Sequence, residues 1–477
     1  MELRRCITPF IIQCFVSAGV TLNMSGMGLV MGFSTVLLPQ LQKPDSIIQI
    51  DESSGSWIAS IPGIAIIVGN FMVATLMNKF GRKIANLISV TITIIGWLCI
   101  IFSNTTSMMI AARFFQGIAM GIITTLGPIL IGEYTSPRNR GAFLMSISIS
   151  ISTGVFLIHI LGIYLDWRTT SIACIGIALV DILIVILSPE SPSWLANQGK
   201  YEECRKVFRY LRGDNEEEEL EKMIEANVIS KQENKIKTSA NDTIAARIDI
   251  IVHYWKKLVK DRAFYVPVFI MLHVYTMAQW SGVNVFTSYL IDLIEHVSGS
   301  VDHMDMIIIS IDVQRIVTST IGIILIKKIR RRLLVFVSVG LNFVMYLIIA
   351  GYTYAKQNDW LPYHHPYIGL VLIHLHMFSI GIGALPISFV LSGEIYPLEY
   401  KGISGGISTI FMSLNIFTNV KTIPMLFNAM GFSETYLMYS VIIGYCLVIV
   451  CLLLPETKDR TLLEIEESFR RKKVNRP

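Results

Sequence analysis

Eight stretches of this chain run for 21 residues or more without one Asp, Glu, Lys or Arg: Cys6–Gln42, Ser53–Asn78, Ile84–Ala112, Gly141–Leu165, Ala263–Ile291, Leu333–Ala355, Trp360–Gly393 and Thr435–Pro455. A helix needs about 20 mostly apolar residues to cross a bilayer, because hydrocarbon offers the backbone no water, and an ionised side chain at its centre costs about 2.5–3.5 kcal/mol. Four further apolar stretches carry only one or two charges. Arg113 opens one, Asp181 splits another, Asp312 and Arg315 enter a third, and Lys421 lies in a fourth. Together they predict twelve spans. With 53% hydrophobic residues, 16% charged and a mean hydropathy of +0.57, the 477 residues do not read as soluble domains. The first span follows Arg4 and Arg5, exceeds the length of a signal-peptide core and shows no small-residue cleavage site, so it reads as a retained helix.

Basic residues fall in alternate loops: Arg4/Arg5, Lys79/Arg82/Lys83, Arg138/Arg140, a central loop, Lys327–Arg332 and Arg470–Lys473. That bias places both termini in the cytoplasm, and it accounts for the net charge of +5 better than nucleic-acid binding does. Between Glu190 and Arg262 lie 28 of the 75 charged residues, so this segment is a solvated linker of charged amphipathic helices. The expected division is a six-helix half over 1–188, the linker over 189–262, a second half over 263–454 and a tail over 455–477. Seven cysteines, mostly in apolar spans, make neither a disulfide framework nor a spaced metal site.

The halves repeat each other. Gly132-Glu133-Tyr134 with Arg140-Gly141 after the fourth span matches Gly393-Glu394-Ile395 with Lys401-Gly402 after the tenth. Pro189-Glu190-Ser191 after the sixth matches Pro455-Glu456-Thr457 after the twelfth. The basic runs Asn78–Lys83 and Lys327–Arg332 close the second and eighth spans. Matched landmarks about 260 residues apart indicate duplication, the layout of transporters that rock one half against the other around a midplane site. Ser146, Ser148, Ser150 and Ser152 alternate with isoleucine as a strand would. An open strand is not viable in lipid, so they read as small polar helix contacts at i, i+4, and Gly117 and Gly121 as another close contact.

These motifs resemble the sugar porter family of the major facilitator superfamily over nearly the whole chain. Asn78-Lys79-Phe80-Gly81-Arg82-Lys83 is similar to its Asn/Asp-Arg-x-Gly-Arg-Arg signature, and Arg113-Phe114 with Gly117, then Pro128 to Glu133 and Arg140-Gly141, to its fourth-helix motif, with Leu130 in place of a Tyr. Pro189-Glu190-Ser191-Pro192 and Pro455-Glu456-Thr457-Lys458 resemble the motifs that close each half. Within the family, Gly55-Ser56-Trp57, Gly32-Phe33-Ser34 and Lys421-Thr422 with Pro424 resemble the facilitated trehalose transporter group. The resemblance implies a twelve-helix major facilitator fold, a plasma-membrane home, no cofactor, and a solute path lined by the seventh, eighth, tenth and eleventh spans. The seventh-helix motif is here Ala278-Gln279-Trp280-Ser281-Gly282-Val283-Asn284, with one of the family's two glutamines gone. At other family solute contacts stand Gln314 or Arg315, Phe389 and Met412-Ser413, and the second-half Gly-Arg-Arg is Arg330-Arg331-Arg332.

A sugar both donates and accepts hydrogen bonds, so a site for one needs neutral amides and hydroxyls with aromatic surfaces for ring faces. Ser281, Asn284 and Ser288 at i, i+3 and i+7 form one stripe on a continuous helix, with Gln279, Trp280 and Tyr289 beside it. The same stripe also suits plain helix packing. Glu133 with Arg82 and Arg140, and Glu394 with Arg331 and Lys401, resemble ionic clusters expected to clamp the halves together on the inside. Asp312 and Arg315 are spaced to neutralise each other, and Asp181 has no local partner. Single histidines at 159, 273, 374 and 376 read as packing groups. Asn104-Thr105-Thr106 is a glycosylation sequon expected to face outside, and Asn241-Asp242-Thr243 one expected to face the cytoplasm. No nucleophile with a base is apparent, so no enzyme is expected. Relatives that couple to protons tend to carry Asp where Ser34 stands, and Cys6–Gln42 holds no carboxylate; uniport is therefore expected. Proton-coupled symport and a non-transporting sugar sensor are the alternatives.

Overall fold

The computed structural model describes residues 8–213, 216–225, 228, 258, 260–299, 302–361, 365–397, 400–458, 460 and 462–470. Arg4, Arg5, the sequon at Asn241 and the basic residues 471–473 lie outside them. Six helices make the first half: α1 (Pro9–Leu41), α2 (Glu52–Phe80), α3 (Arg82–Ile101), α4 (Thr106–Tyr134), α5 (Pro137–Tyr164) and α6 (Trp167–Leu187). Short caps set their starts. Asp51 accepts from the Ser54 N–H at 3.1 Å and Thr105 from that of Met108 at 3.3 Å, while Asp166 accepts from both Arg168 and Thr169. α7 (Pro192–Gln198) and α8 (Tyr201–Arg212) follow at one end of the bundle, which we term the linker face.

Among the described residues, eleven helices are long and apolar enough to cross a bilayer. The remaining crossing, the seventh span, is made in three pieces: α9 (Arg262–Trp280), α10 (Val283–Ser288) and α11 (Leu290–Ser298). The chain breaks where Gly282 adopts φ +104°, a left-handed conformation that a side chain would strain. The expected continuous stripe therefore does not form, because Ser281 precedes the break while Asn284 and Ser288 follow it. Beyond it come α12 (Met304–Lys328), α13 (Arg331–Gln357), the tenth span as α14 (Pro366–Ser379), a π-turn over Ile380–Ala384 and α15 (Pro386–Glu394), then α16 (Lys401–Met430), α17 (Phe432–Leu453) and a short α18 (Leu462–Arg470). Pro386 lacks an N–H for the preceding turn, and the π-turn absorbs that irregularity. The serine-rich segment is helical, within α5. At Gly117 and Gly121 an added Cβ would lie 2.6 Å or less from the backbone of α2, so these glycines permit the close packing of α2 on α4.

Each half packs mainly on itself, and the seam between them is formed by α2 with α16, α5 with α12, and α1 with α10. The seam is closed away from the linker face. Gly63 lies against the backbone of Phe417, and among the described residues the hydrogen bonds across the seam all fall in the middle or far part of the bundle. At the linker face no hydrogen bond among the described residues crosses the seam, and nothing lies within 4 Å of an added Cβ at Gly141, Gly402, Gly405 or Gly406. The molecule is thus open at the linker face and shut at the opposite one.

Candidate solute path and gates

The seam carries its deepest polar contact between α5 and α12. His159 Nδ1 stands 2.6 Å from Asp312 Oδ2, and Asp312 Oδ1 lies 3.8 Å from Arg315 Nη1. Arg315 Nη2 donates to the Phe286 carbonyl at 3.2 Å. All three side chains are buried. The expected neutralisation of Asp312 by Arg315 is present, but Asp312's shorter contact is a histidine 153 residues away on the other half. Sequence spacing offered no signal for that partner. Asp181 is buried with Oδ1 unpartnered.

Toward the closed face, Lys421 Nζ donates to Ser56 Oγ at 2.7 Å and to the Ser53 carbonyl at 3.3 Å, and lies 4.4 Å from the centre of the Trp57 ring. Asn428 donates to Glu52 across the same seam. Lys421 is therefore not an isolated charge in lipid; its ammonium ends at the start of α2 on carbonyl, hydroxyl and ring acceptors. The Gly55-Ser56-Trp57 and Lys421 motifs, far apart in the chain, form one contact.

Beside this contact, at the closed face, is a cavity of about 310 Å³ lined by both halves, with Thr35, Gln42, Glu52, Ser288, Tyr289 and Asp292 among its walls. Of the expected solute contacts, Ser288 and Tyr289 line it. Gln279, Ser281 and Asn284 are buried at the break instead, where Asn284 Nδ2 donates to the Gln279 carbonyl at 2.9 Å and Ser281 Oγ to that of Ala278 at 2.8 Å. Trp280 does not offer its ring face to the cavity: its Nε1 donates to Asn415 Oδ1 at 2.8 Å and its ring meets Tyr439 edge-on. Gln314 is engaged by His374 of the tenth span, with Nε2 donating to that residue's carbonyl at 2.7 Å. Phe389 is 45% exposed on α15 and does not line the cavity.

At the linker face each half holds its own ionic cluster. Arg82 grips both oxygens of Glu133, with its Nε at 3.1 and 3.3 Å, and Glu133 also accepts from Ser191 Oγ. Glu190 Oε1 receives the backbone N–H groups of Arg82 and Lys83, which begin α3, at 2.9 and 3.1 Å. Burial pushes the Glu190 carboxyl above its ordinary range, while the N–H groups of Ser191, Lys83 and Arg82 pull it back. In the second half Arg331 grips Glu394 with Nη2 at 3.0 Å, Thr457 Oγ1 donates to Glu394 at 2.6 Å, and Glu456 receives the N–H groups of Arg331 and Arg332. The expected pairings of Glu133 with Arg140 and Glu394 with Lys401 are absent: Arg140 lies 4.0 Å from Glu219, and Lys401 Nζ donates to the Gly393 carbonyl. Neither cluster bridges the seam in this conformation.

The sequence placed Arg113 in the fourth-helix motif and at the start of an apolar stretch, with no partner indicated. It is buried in the first half, where it donates to the carbonyls of Val30 (2.8 Å) and Ile58 (3.2 Å), to Gln116 Oε1 (2.9 Å) and to Ser34 Oγ (3.0 Å). Every acceptor is neutral. Asn104 is exposed between α3 and α4 at the closed face, where its Oδ1 accepts from Arg168.

The family model for sugar (and other) transporters matches residues 36–469. The facilitated trehalose transporter Tret1 of Bombyx mori is 28% identical over 462 residues, spanning 95% of this chain and 86% of its own. The inward open conformation of the xylose transporter XylE from E. coli shares the fold with a TM-score of 0.71 at 18% identity, over 97% of this chain and 100% of that one. The partially occluded inward open conformation of the same transporter gives 0.72 at 18% identity, over 94% and 99%.

Proposed function

Because this chain belongs to the sugar (and other) transporter family, we propose that it carries a neutral sugar, a hexose or a trehalose-like disaccharide, across a membrane by alternating access. The observation that carries this reading is the asymmetric seam, bonded at Lys421–Ser56 and His159–Asp312 and open around Gly141 and Gly402. Alternating access requires one face shut while the other is open. Residues 1–188 and 263–454 act as the two moving halves, 189–262 as the linker and 455–477 as the tail. The linker face is cytoplasmic, the closed face is extracellular at the plasma membrane, and Asn104 carries a glycan there. A seam with polar contacts that can be broken and remade favours a moving transporter over a non-transporting sensor.

Arg113 supports facilitated movement. Its guanidinium is satisfied by four neutral acceptors, so no partner needs to gain or lose a proton in the cycle. A second reading, proton-coupled symport, rests on the buried and partly unpartnered carboxyl of Asp181.

Uptake of radiolabelled glucose and trehalose into proteoliposomes tests both. Under uniport, one of these sugars equilibrates and does not accumulate when the lumen is made alkaline. Accumulation driven by that gradient, abolished by Asp181→Asn, would replace uniport with symport. Failure of correctly inserted protein to move either sugar overturns the assignment of a sugar as solute.

A further inference from the structure

At the break in the seventh span, the backbone bonds that a continuous helix would run from residues 283–285 to the carbonyls of Gln279, Trp280 and Ser281 are missing. Side chains replace them. Asn284 Nδ2 donates to the Gln279 carbonyl at 2.9 Å, and Tyr346 Oη to that of Trp280 at 2.9 Å. The Ser281 carbonyl takes two donors, Asn342 Nδ2 and His376 Nε2, each at 3.0 Å. Because a carbonyl can only accept, Nε2 carries the His376 proton.

This shell is built from two neighbouring spans and is dry. Tyr346 and Asn342 come from α13 and His376 from α14, and all three have no exposed surface. A further layer fixes the donors: Asn342 Nδ2 also reaches Ser379 Oγ at 3.0 Å, and that hydroxyl donates to the His376 carbonyl at 2.6 Å. The imidazole meets Tyr346 and Phe286 edge-on. A Cβ at Gly282 would lie 3.0 Å from both His376 Cε1 and Tyr346 Oη, so the shell fits closely over the left-handed glycine.

We propose that His376, with Asn342 and Tyr346, is a positioning residue that holds this break open and thereby sets where the outer part of the seventh span stands. The inference rests on the sugar-transport reading above. α10 and α11, with Tyr289 between them, carry Ser288, Tyr289 and Ile291 into the wall of the outer cavity, while α9 stays anchored below. Satisfying the carbonyls on the α9 side lets the chain bend at Gly282 without leaving orphaned polar groups in a membrane interior, where no water replaces them. With the donors gone, the way to pair those carbonyls is to straighten the helix, which moves the cavity wall and the Gln279–Asn284 contact with it.

The test compares Tyr346→Phe, His376→Ala and His376→Gln, the last keeping an N–H at the reach of Nε2. Sugar uptake is normalised to protein at the surface, and Ile291→Cys in a Cys99→Ser background reports outer-face accessibility to an impermeant maleimide. Loss of one donor to a buried carbonyl is expected to cut turnover about ten-fold, more than it changes KM, and to alter labelling several-fold, whereas His376→Gln stays within about two-fold of wild type. Full turnover in both Tyr346→Phe and His376→Ala overturns the proposal. So does a fall in turnover with unchanged labelling, and so does equal impairment by Gln and Ala, which would assign the effect to ring packing. If the unsubstituted protein moves no sugar and sugar does not change its labelling, the transport reading itself fails; if it does both and the variants match it, only the positioning role fails.

Discussion

At the linker face Arg82 reaches Glu133, and Arg331 reaches Glu394, without leaving their own halves; at the opposite face Lys421 reaches Ser56, and Asn428 reaches Glu52, by crossing between halves. The linker-face clusters are duplicated almost part for part. Each has an arginine, a glutamate ending the fourth or tenth span, a hydroxyl, and a second glutamate on the N–H groups that begin the next helix. The contacts at the other face have no such repeat. Groups that repeat within each half stiffen a body that moves as a unit, and groups that cross the seam choose between its positions. The clusters differ at one point: Gly81, at φ +94° and pressed on Glu190, has Arg330 as its counterpart with ordinary φ. Charge and helix start are conserved between the halves there, and the tight turn is not.

The largest expected effect falls on the deepest crossing contact. Asp312→Ala leaves His159 Nδ1 without its carboxylate and Arg315 buried with the Phe286 carbonyl as its hydrogen-bond acceptor, a loss of about 3–5 kcal/mol by the usual cost of breaking a buried pair. Thermal unfolding of the purified protein should show it, and Arg315→Met in the same chain should recover the part owed to the guanidinium. A single variant as stable as wild type would mean that water already reaches the cluster. Next comes Lys421→Met, which removes a cation from Ser56 and the Trp57 ring. A loss of about 1–2 kcal/mol would shift the balance toward outward-open roughly five- to thirty-fold. Labelling of Ile423→Cys from outside should rise accordingly; if it does not, the outer face is held by apolar packing such as Phe417 on Gly63. The smallest effects belong to Glu133→Gln and Glu394→Gln. Each removes a partly solvated pair inside one half, worth about 1 kcal/mol, and the more exposed Glu394 should lose less. Both should lower stability with little change in outer labelling. A marked fall in outer labelling in either variant would restore the view that these glutamates bridge the seam when the linker face is shut.

The sequence by itself determined the twelve crossings, the duplication and the Arg82–Glu133 and Arg331–Glu394 pairs of the linker-face clusters. A charge in hydrocarbon is costly wherever the helix packs, so charge-free length reads directly as a span, and duplicated glutamates beside duplicated basic runs stand at the same membrane depth in any packing of those helices. The Gly81–Lys83, Glu133 and Glu190 motifs accordingly meet, and so do their counterparts around Arg331. Tertiary structure alone decided which partners the other polar groups took. His159 and Asp312 are 153 residues apart, and Lys421 and Ser56 are 365. Each contact depends on the rotation of two helices about their axes, which apolar periodicity sets weakly when helices are hydrophobic on every side. The break at Gly282 belongs to the same class: Ser281, Asn284 and Ser288 keep a helical spacing in the sequence, while Tyr346, Asn342 and His376, brought up from neighbouring spans, join Asn284 in donating to the carbonyls at the break.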